Sequence, residues 1–470
     1  MNPVINPLEL IPLLKSYFLD SNRLNRLNNA QIKKYKNKAF RKIIKYAYNV
    51  PVYHNKYKKA GIYPSDIKTI EDIRKLPFIS KKDLVEAYPD KLLPVNYYKD
   101  KAHVVGTGGT SGKPVYLYTD FYTIGQTIGI SIRELKHLDL NFRKTKTAHI
   151  GNFSPYRIDL VTQEHFQRHL KSFISMRNTL NIDVNQSIKK IINKLEEFQP
   201  DIIITYPAIF QHLAFLKRNG YAKNIKPRLC WTGGAMLDDY TKKYVEDAFK
   251  CRLLNIYPSV EAGANIAFEC FDGTWHIHHD YFYVEAIDDN QQLVDEGNQG
   301  HIVLTRLWGR ATPIIRYTGM DDWVTIGSEK ECSCGLKTPV LKDGVEGRMR
   351  ANIILPNGKI FPPGAFCFIT PVLQKLKTYK VRQYQIIQEK LNEINIKIVI
   401  DKHLRNKGAS VEKIFKNIKK TYQEKTGPNV EINVFEVEEI KNKKNASKPA
   451  PIVISKVSKK QGFNIIKSKN

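Results

Sequence analysis

The chain has 470 residues and a net charge of +29 at pH 7, from 75 Lys and Arg against 46 Asp and Glu. This length exceeds one small core and predicts two or three domains, with 42% hydrophobic residues to fill them. No apolar run reaches the roughly 18 residues of a membrane span, and six irregularly spaced cysteines are too few for a disulfide framework.

The opening stretch MNPVINPLELIPLLKSYFLD has no early positive charge, and Glu9 and Pro12 interrupt its apolar run. It does not read as a signal peptide, so a cytoplasmic location is expected. The positive charge is concentrated in two places. Ser21 to Ser65 holds twelve Lys or Arg and no acid, and Lys441 to Asn470 holds nine Lys and no acid. Such segments are either solvated faces of a lysine-rich protein or contacts for a membrane surface or an anionic polymer. No zinc-finger, RNP or helix-turn-helix pattern accompanies them, so no specific nucleic acid is expected.

Residues 1–98 read as a mainly helical opening segment. IKKYKNKAFRKIIKYAYN sets Ile32, Tyr35, Ala39, Ile43 and Tyr46 or Ala47 on one face, with lysines opposite. Further on, Ser65 or Asp66, and later Ser80, are suited to cap short helices. From about residue 100 to 345 strand candidates alternate with helices, which predicts an α/β domain with a largely parallel sheet. DIIITYP leads into AIFQHLAFLKRNG, and RLCWTGG into DDYTKKYVEDAFK and then LLNIYPS. After GVEGRMR a compact α+β unit is expected: strand INIKIVI, amphipathic helix SVEKIFKNIKKTYQEKTG ending at Gly427, and strand NVEINVFEV.

GTGGTSGKP (Gly106 to Pro114) resembles a phosphate loop but fails the Walker A pattern. Thr107 stands where that motif needs glycine, and Pro114 where it needs Ser or Thr. Extended sequence on both sides, AHVV and PVYLYT, predicts a long glycine-rich hairpin loop, able to turn backbone N–H groups toward an anion. A plain flexible turn reads equally well from the loop alone. Downstream, WTGGAML carries a glycine pair after a strand. IYPSVEAG puts Glu261 just past a strand end, where open α/β sheets bind ligands. IIRYTGMDD brings Arg316, Tyr317 and Asp321, EGRMR brings Arg348, and ASKPAPIVIS brings Lys448. Taken singly, Glu261 reads as a surface cap, Asp321 as a turn residue and Lys448 as one lysine among many.

Their joint order resembles the adenylate-forming superfamily, in particular its branch of phenylacetate–CoA ligases and CapK-like proteins of capsular polysaccharide biosynthesis. The resemblance extends from about Lys42 to Ser455 through KYAYNVPVYHNKYKKAGIYPSDIKTIEDIRKLPFISKKDL, TGGTSGKP, YPSVEAG, IIRYTGMDD and ASKPAPIVIS. It implies a large AMP-binding domain over 1–347 and a small mobile α+β domain over 348–470. It also implies ATP-dependent activation of a small-molecule carboxylate, with release of pyrophosphate and transfer to coenzyme A or another acceptor. Thr107, Gly108, Gly109, Thr110, Ser111 and Gly112 would wrap the β- and γ-phosphates, with Lys113 adding charge. Gly233 and Gly234 would lie along the adenine, with Tyr257 and Ser259 close by. Glu261 would hold Mg2+, and Asp321 would bind the ribose hydroxyls. Arg348 would sit at the hinge, and Lys448 would stabilise the adenylation transition state. A homodimer is a further implication of the family.

The family also carries a cysteine and histidine set like Cys270, His276, Cys332 and Cys334. Four such ligands suit a tetrahedral zinc. His278 and His279 are alternative ligands, and a reduced surface cysteine pair beside unrelated histidines is the alternative to zinc. The chain departs from the family at Pro258 and Val260, usually Gly and Thr, and at Met320, Arg350, Ala351 and Ala446-Ser447. A second reading follows, in which a catalytically weakened nucleotide-binding scaffold uses its basic surface on membrane or anionic polymer.

Overall fold

The computed structural model describes residues 11, 14–107, 114–141, 144–165, 167, 177–320, 322–348, 351–361, 363–440 and 450–457. Asn28 opens α1 (Asn29–Ala47) with a capping box to Gln31, and Ile32, Phe40, Ile43, Ile44 and Ala47 form its buried face. Pro51 starts α2 (Pro51–Lys59). Ser65 and Asp66, expected to cap a helix, lie instead inside a single 3₁₀ turn, Pro64–Asp66. The cap belongs to Thr69, whose N–H donates to Asp72 and opens the 3₁₀ segment Ile70–Lys75. The reason is local: Asp66 accepts from Tyr63 N and so closes its own turn. Ser80 caps α3 (Lys81–Ala87), as its position predicts.

Strands β1 (Ala102–Gly106) and β2 (Tyr116–Asp120) then form an antiparallel hairpin, and α4 (Phe121–His137) follows from an Asp120 cap. The central region alternates β3 (Thr147–Gly151), α5 (Ile158–His165), β4 (Thr179–Asp183), α6 (Ile188–Phe198), β5 (Ile202–Thr205), α7 (Pro207–Arg218), β6 (Leu229–Gly233), α8 (Asp239–Phe249) and β7 (Arg252–Ser259). From there the chain turns antiparallel through β8 (Ala264–Glu269), β9 (Trp275–Ile277), β10 (Phe282–Ile287), β11 (Gln299–Arg306), β12 (Asp322–Glu331) and β13 (Lys337–Arg348). All eleven strands from β3 to β13 share one sheet, in the order β10-β11-β12-β13-β9-β8-β7-β6-β5-β3-β4. Within this sheet β3 to β7 pair in parallel, because helical crossovers join them, and the strands from β8 on pair antiparallel.

The chain then forms the small pair β14 (Ile353–Ile354) and β15 (Ile360–Phe361), followed by α9 (Ile369–Lys375). A four-stranded sheet ends the described fold, from β16 (Val381–Lys390), β17 (Glu393–Ile400), β18 (Glu431–Glu436) and β19 (Val453–Ser455), with α10 (Val411–Thr426) packed on β18. Arg348 is the last residue of β13, so the expected division at 347/348 falls at the end of the large sheet. One apolar core spans that division: Ile203, Phe210 and Tyr240 share it with Ile386, Ile396 and Ile418. Tyr240 Oη also donates to the Val381 carbonyl at 2.6 Å. No helix among the described residues is long and apolar enough to cross a membrane.

A buried ionic cluster holds the residues before α1 against the sheet. Asp280, between β9 and β10, accepts from Arg23 Nη1 at 2.6 Å and from Arg133 Nη1 and Nη2 at 2.7 and 2.8 Å. Asp20 pairs with Arg23 at 2.7 Å and balances the second guanidinium. Part of the basic opening segment is therefore paired with acids: Arg23 is buried, Lys56 pairs with Asp83, and Lys33 pairs with Glu71 at the surface.

Candidate functional site

Among the described motif residues, Gly233 and Ser259 end β6 and β7 at the carboxyl edge of the parallel strands. β7 ends at Ser259, and Gly263, with φ near +71°, lets the chain reverse into β8. Within that turn Ser259 Oγ donates to Glu261 Oε2 at 2.8 Å and accepts from the Glu261 and Ala262 N–H groups. The second Glu261 oxygen accepts from Tyr317 Oη at 3.3 Å. Two hydroxyls thus aim one carboxylate, and the residue remains partly exposed.

Tyr317 is fully buried, and its position depends on Arg316. Arg316 has φ near +48°, a left-handed conformation that costs a non-glycine residue about 1–2 kcal/mol. Its guanidinium offsets that cost by donating to both oxygens of Glu285, at 3.2 and 3.0 Å, and to the Leu76 carbonyl at 2.6 Å. Backbone bonds then fix the segment, Tyr317 to Leu304 in both directions and Thr318 N to Ile79 O. Tyr257 is also buried, and its Oη donates to Asp322 Oδ2 at 2.7 Å. Sequence reasoning assigned no role to Asp322 or to the Tyr317 hydroxyl; both lie inside quoted motifs, but their partners are distant in sequence.

Gly233 ends β6 beside Ile256. A Cβ there would lie 2.7 Å from Ile256 Cγ1 and 2.8 Å from Ile256 O, so only glycine keeps this strand pairing. Gly234 follows with φ near +73°. Across the edge, the stems of the glycine hairpin are anchored: Thr107 N donates to Val115 O, and Val115 N to Thr107 Oγ1. Arg157 Nη1 donates to the Thr107 carbonyl at 2.7 Å, and Gly106 N to the Tyr156 carbonyl at 2.7 Å. The loop after β3 therefore supports the hairpin, a link that no motif signalled. Gly108, Gly109, Thr110, Ser111, Gly112 and Lys113 lie outside the described residues, as do Asp321 and Lys448. Of Arg348 the backbone is described, opposite Asp322 in the β12–β13 register.

A second cluster forms where β9 meets the β12–β13 turn. One ligand atom from each of Cys270, His276, Cys332 and Cys334 lies within 4.8 Å of the others. Cys270 Sγ is 3.8 Å from Cys332 Sγ, and Cys334 Sγ is 3.3 Å from His276 Nε2. A tetrahedral zinc with bonds near 2.3 Å to sulfur separates its sulfurs by about 3.7 Å, so the spacing fits that ion. His276 Nδ1 is 2.8 Å from Thr338 Oγ1, the outer contact that orients a ligating imidazole. The alternative ligands are engaged elsewhere. His278 lies 3.0 Å from Glu134 Oε1, and burial lowers its pKa despite that carboxylate. His279 faces Glu329 at 3.6 Å and is pulled down to about 4 by burial.

Comparison with known proteins agrees with this architecture. Residues 367–455 match the CapK C-terminal domain. The chain is 27% identical over 355 residues to a phenylacetate-coenzyme A ligase of Pseudomonas putida, covering 73% of this chain and 76% of that protein. It is 25% identical over 307 residues to protein CapK of Staphylococcus aureus, covering 64% and 65%. Crystallised 2-hydroxyisobutyryl-CoA ligase, in the postadenylation state, superposes with a TM-score of 0.75 at 17% identity, over 94% of this chain and 93% of the other. The chain therefore has the fold of the acyl-CoA ligases of the adenylate-forming superfamily, and its sequence relatives are phenylacetate–CoA ligases and CapK.

Proposed function

We propose that the chain is an adenylate-forming acid–CoA ligase. A carboxylate oxygen of the acid attacks the α-phosphorus of ATP, the bond to pyrophosphate breaks, and an acyl-adenylate forms. The thiol of coenzyme A then attacks the acyl carbon, loses its proton to solvent and displaces AMP. The observation that carries this reading is the convergence of the anchored glycine hairpin, Gly233-Gly234 and the aimed Glu261 carboxylate on one strand edge.

Negative charge on the phosphates calls for preorganised donors and cations. Thr107 to Gly112 supply backbone N–H groups and hydroxyls around the β- and γ-phosphates, with Lys113 beside them. Gly233 and Gly234 leave a flat surface for the adenine. Asp321 takes the ribose hydroxyls, and Tyr257 supports that segment from beneath through Asp322. Glu261, its oxygens set by Ser259 and Tyr317, is the residue to hold Mg2+, which neutralises phosphate charge when bound. Arg348 lies at the hinge and Lys448 on the mobile small domain, from which it reaches the α-phosphate. Cys270, His276, Cys332 and Cys334 hold a structural zinc that ties β9 to the β12–β13 turn.

ATP–pyrophosphate exchange over a panel of carboxylic acids tests the reading. Glu261→Ala and Lys448→Ala each lower acid-dependent exchange by about 10²–10³-fold while unfolding midpoints hold. Exchange that survives Lys448→Ala unchanged removes that lysine from the chemistry.

A further inference from the structure

His149, Ile204, Trp231 and Leu254 occupy one register row across β3, β5, β6 and β7, so their side chains share a sheet face. The opposite face, with Ala148, Ile203, Cys230 and Leu253, packs into the core that reaches the small domain. Toward the amino ends of the strands, the shared face is covered by Leu135, Leu138 and Leu140 at the end of α4. Toward the carboxyl ends it opens, and Ile204 and Ile256 are only half-buried. The next residues on this face are Gly151 and Gly233, so two of the strands offer no side chain beside the nucleotide edge.

From this row to the carboxyl ends of β3, β5, β6 and β7, two hydrogen-bonding side chains stand on the face. Trp231 is 4% exposed, and its indole Nε1–H has no acceptor among the described residues. A buried donor left unpaired costs about 1–3 kcal/mol, which a ligand oxygen would recover. Two strands away, His149 Nε2 lies 3.8 Å from Asp159 Oδ1. His149 and Asp159 converge over Gly151: a Cβ there would be 2.6 Å from Asp159 Oδ2 and 2.9 Å from the imidazole. Asn152 N donates to the same Asp159 Oδ2 at 2.9 Å and fixes the carboxylate. A site for a purely hydrocarbon acid has no use for either group.

We infer that this face binds the acyl group and selects an oxygen-substituted carboxylic acid over a hydrocarbon one. A substituent oxygen accepts from Trp231 Nε1–H, and a hydroxyl farther along the acyl group donates to the His149–Asp159 pair. The inference rests on the adenylate-forming reading, and it names a substrate class different from the phenylacetate in the names of the sequence relatives.

The test uses stable adenylate mimics, 5′-O-sulfamoyl adenosines acylated with butyrate, phenylacetate or 2-, 3- or 4-hydroxybutyrate, titrated calorimetrically into the full-length protein. At least one hydroxybutyryl mimic binds about tenfold more tightly than the butyryl and phenylacetyl mimics. The readout is this affinity ratio within each protein. W231F keeps the ring, removes the donor and brings the ratio to about one; H149F lowers it. A butyryl or phenylacetyl mimic that binds as tightly as every hydroxylated one overturns the inference and leaves the ligase reading intact, as does a W231F protein that keeps the preference. A wild-type protein that binds none of the mimics overturns both.

Discussion

Replacing Asp280 by asparagine tests how the first residues of the chain are held. The side chain keeps its shape but loses its charge, and one oxygen becomes an N–H₂ group facing guanidinium donors. Of three arginine bonds at 2.6, 2.7 and 2.8 Å, Oδ1 accepts one and Oδ2 two, so the amide loses one or two of them, each worth about 1.5–3 kcal/mol when charged. An independent scale, the loss of one partner from a buried ion pair, is about 3–5 kcal/mol. The two ranges overlap, so Asp280→Asn is expected to lower stability by about 4 kcal/mol at pH 7. Urea unfolding from pH 3 to 8, with limited proteolysis of residues 14–27, measures it. The two arginines hold the Asp280 pKa far below its usual value despite burial, which alone would raise it. A carboxylate depressed in the folded state contributes its stability above the unfolded pKa of about 3.9, and loses it as pH falls below that value. The gap between wild type and variant is therefore constant from pH 5 to 8 and narrows below about pH 4. A gap under about 1 kcal/mol at pH 7, or one that widens on acidification, refutes the assignment.

Gly233→Ala places a methyl against the Ile256 carbonyl, which cannot rotate away. It is expected to cost about 1–3 kcal/mol in urea unfolding and to weaken ATP binding in calorimetry; an unchanged midpoint refutes the close contact. Zinc is expected at one ion per chain in metal analysis of the purified protein and absent from Cys332→Ser. Chelation should lower the wild-type unfolding midpoint and leave that variant's unmoved, whereas a metal-free wild type ends the zinc proposal.

Much of the fold is local and was therefore legible. Ile32 and Ile43 repeat at helical spacing and are buried, Ser80 precedes the helix it caps, and the runs ending at Thr205, Gly233 and Ser259 became three of the parallel strands. Each depends on sterics or hydrogen bonds within a few residues. The motif order likewise marked Glu261, Gly233 and the four zinc-ligand candidates, because glycine, acid and thiol positions are set by chemistry that few residue types can supply. The cap at Thr69 was misread because Asp66 and Asp72 both reach back three residues, and only the folded chain shows which closes a turn and which opens a helix.

Tertiary structure alone decided the rest. Tyr317 meets Glu261 across 56 residues, Asp280 meets Arg23 across 257, and Arg157 supports a loop 50 residues earlier. The lining of the proposed acyl face became readable only once four strands took register, for nothing in the spacing of His149 and Trp231 brings them to one row. Local patterns state what each segment prefers, and pairing across a sheet determines which preferences come into contact.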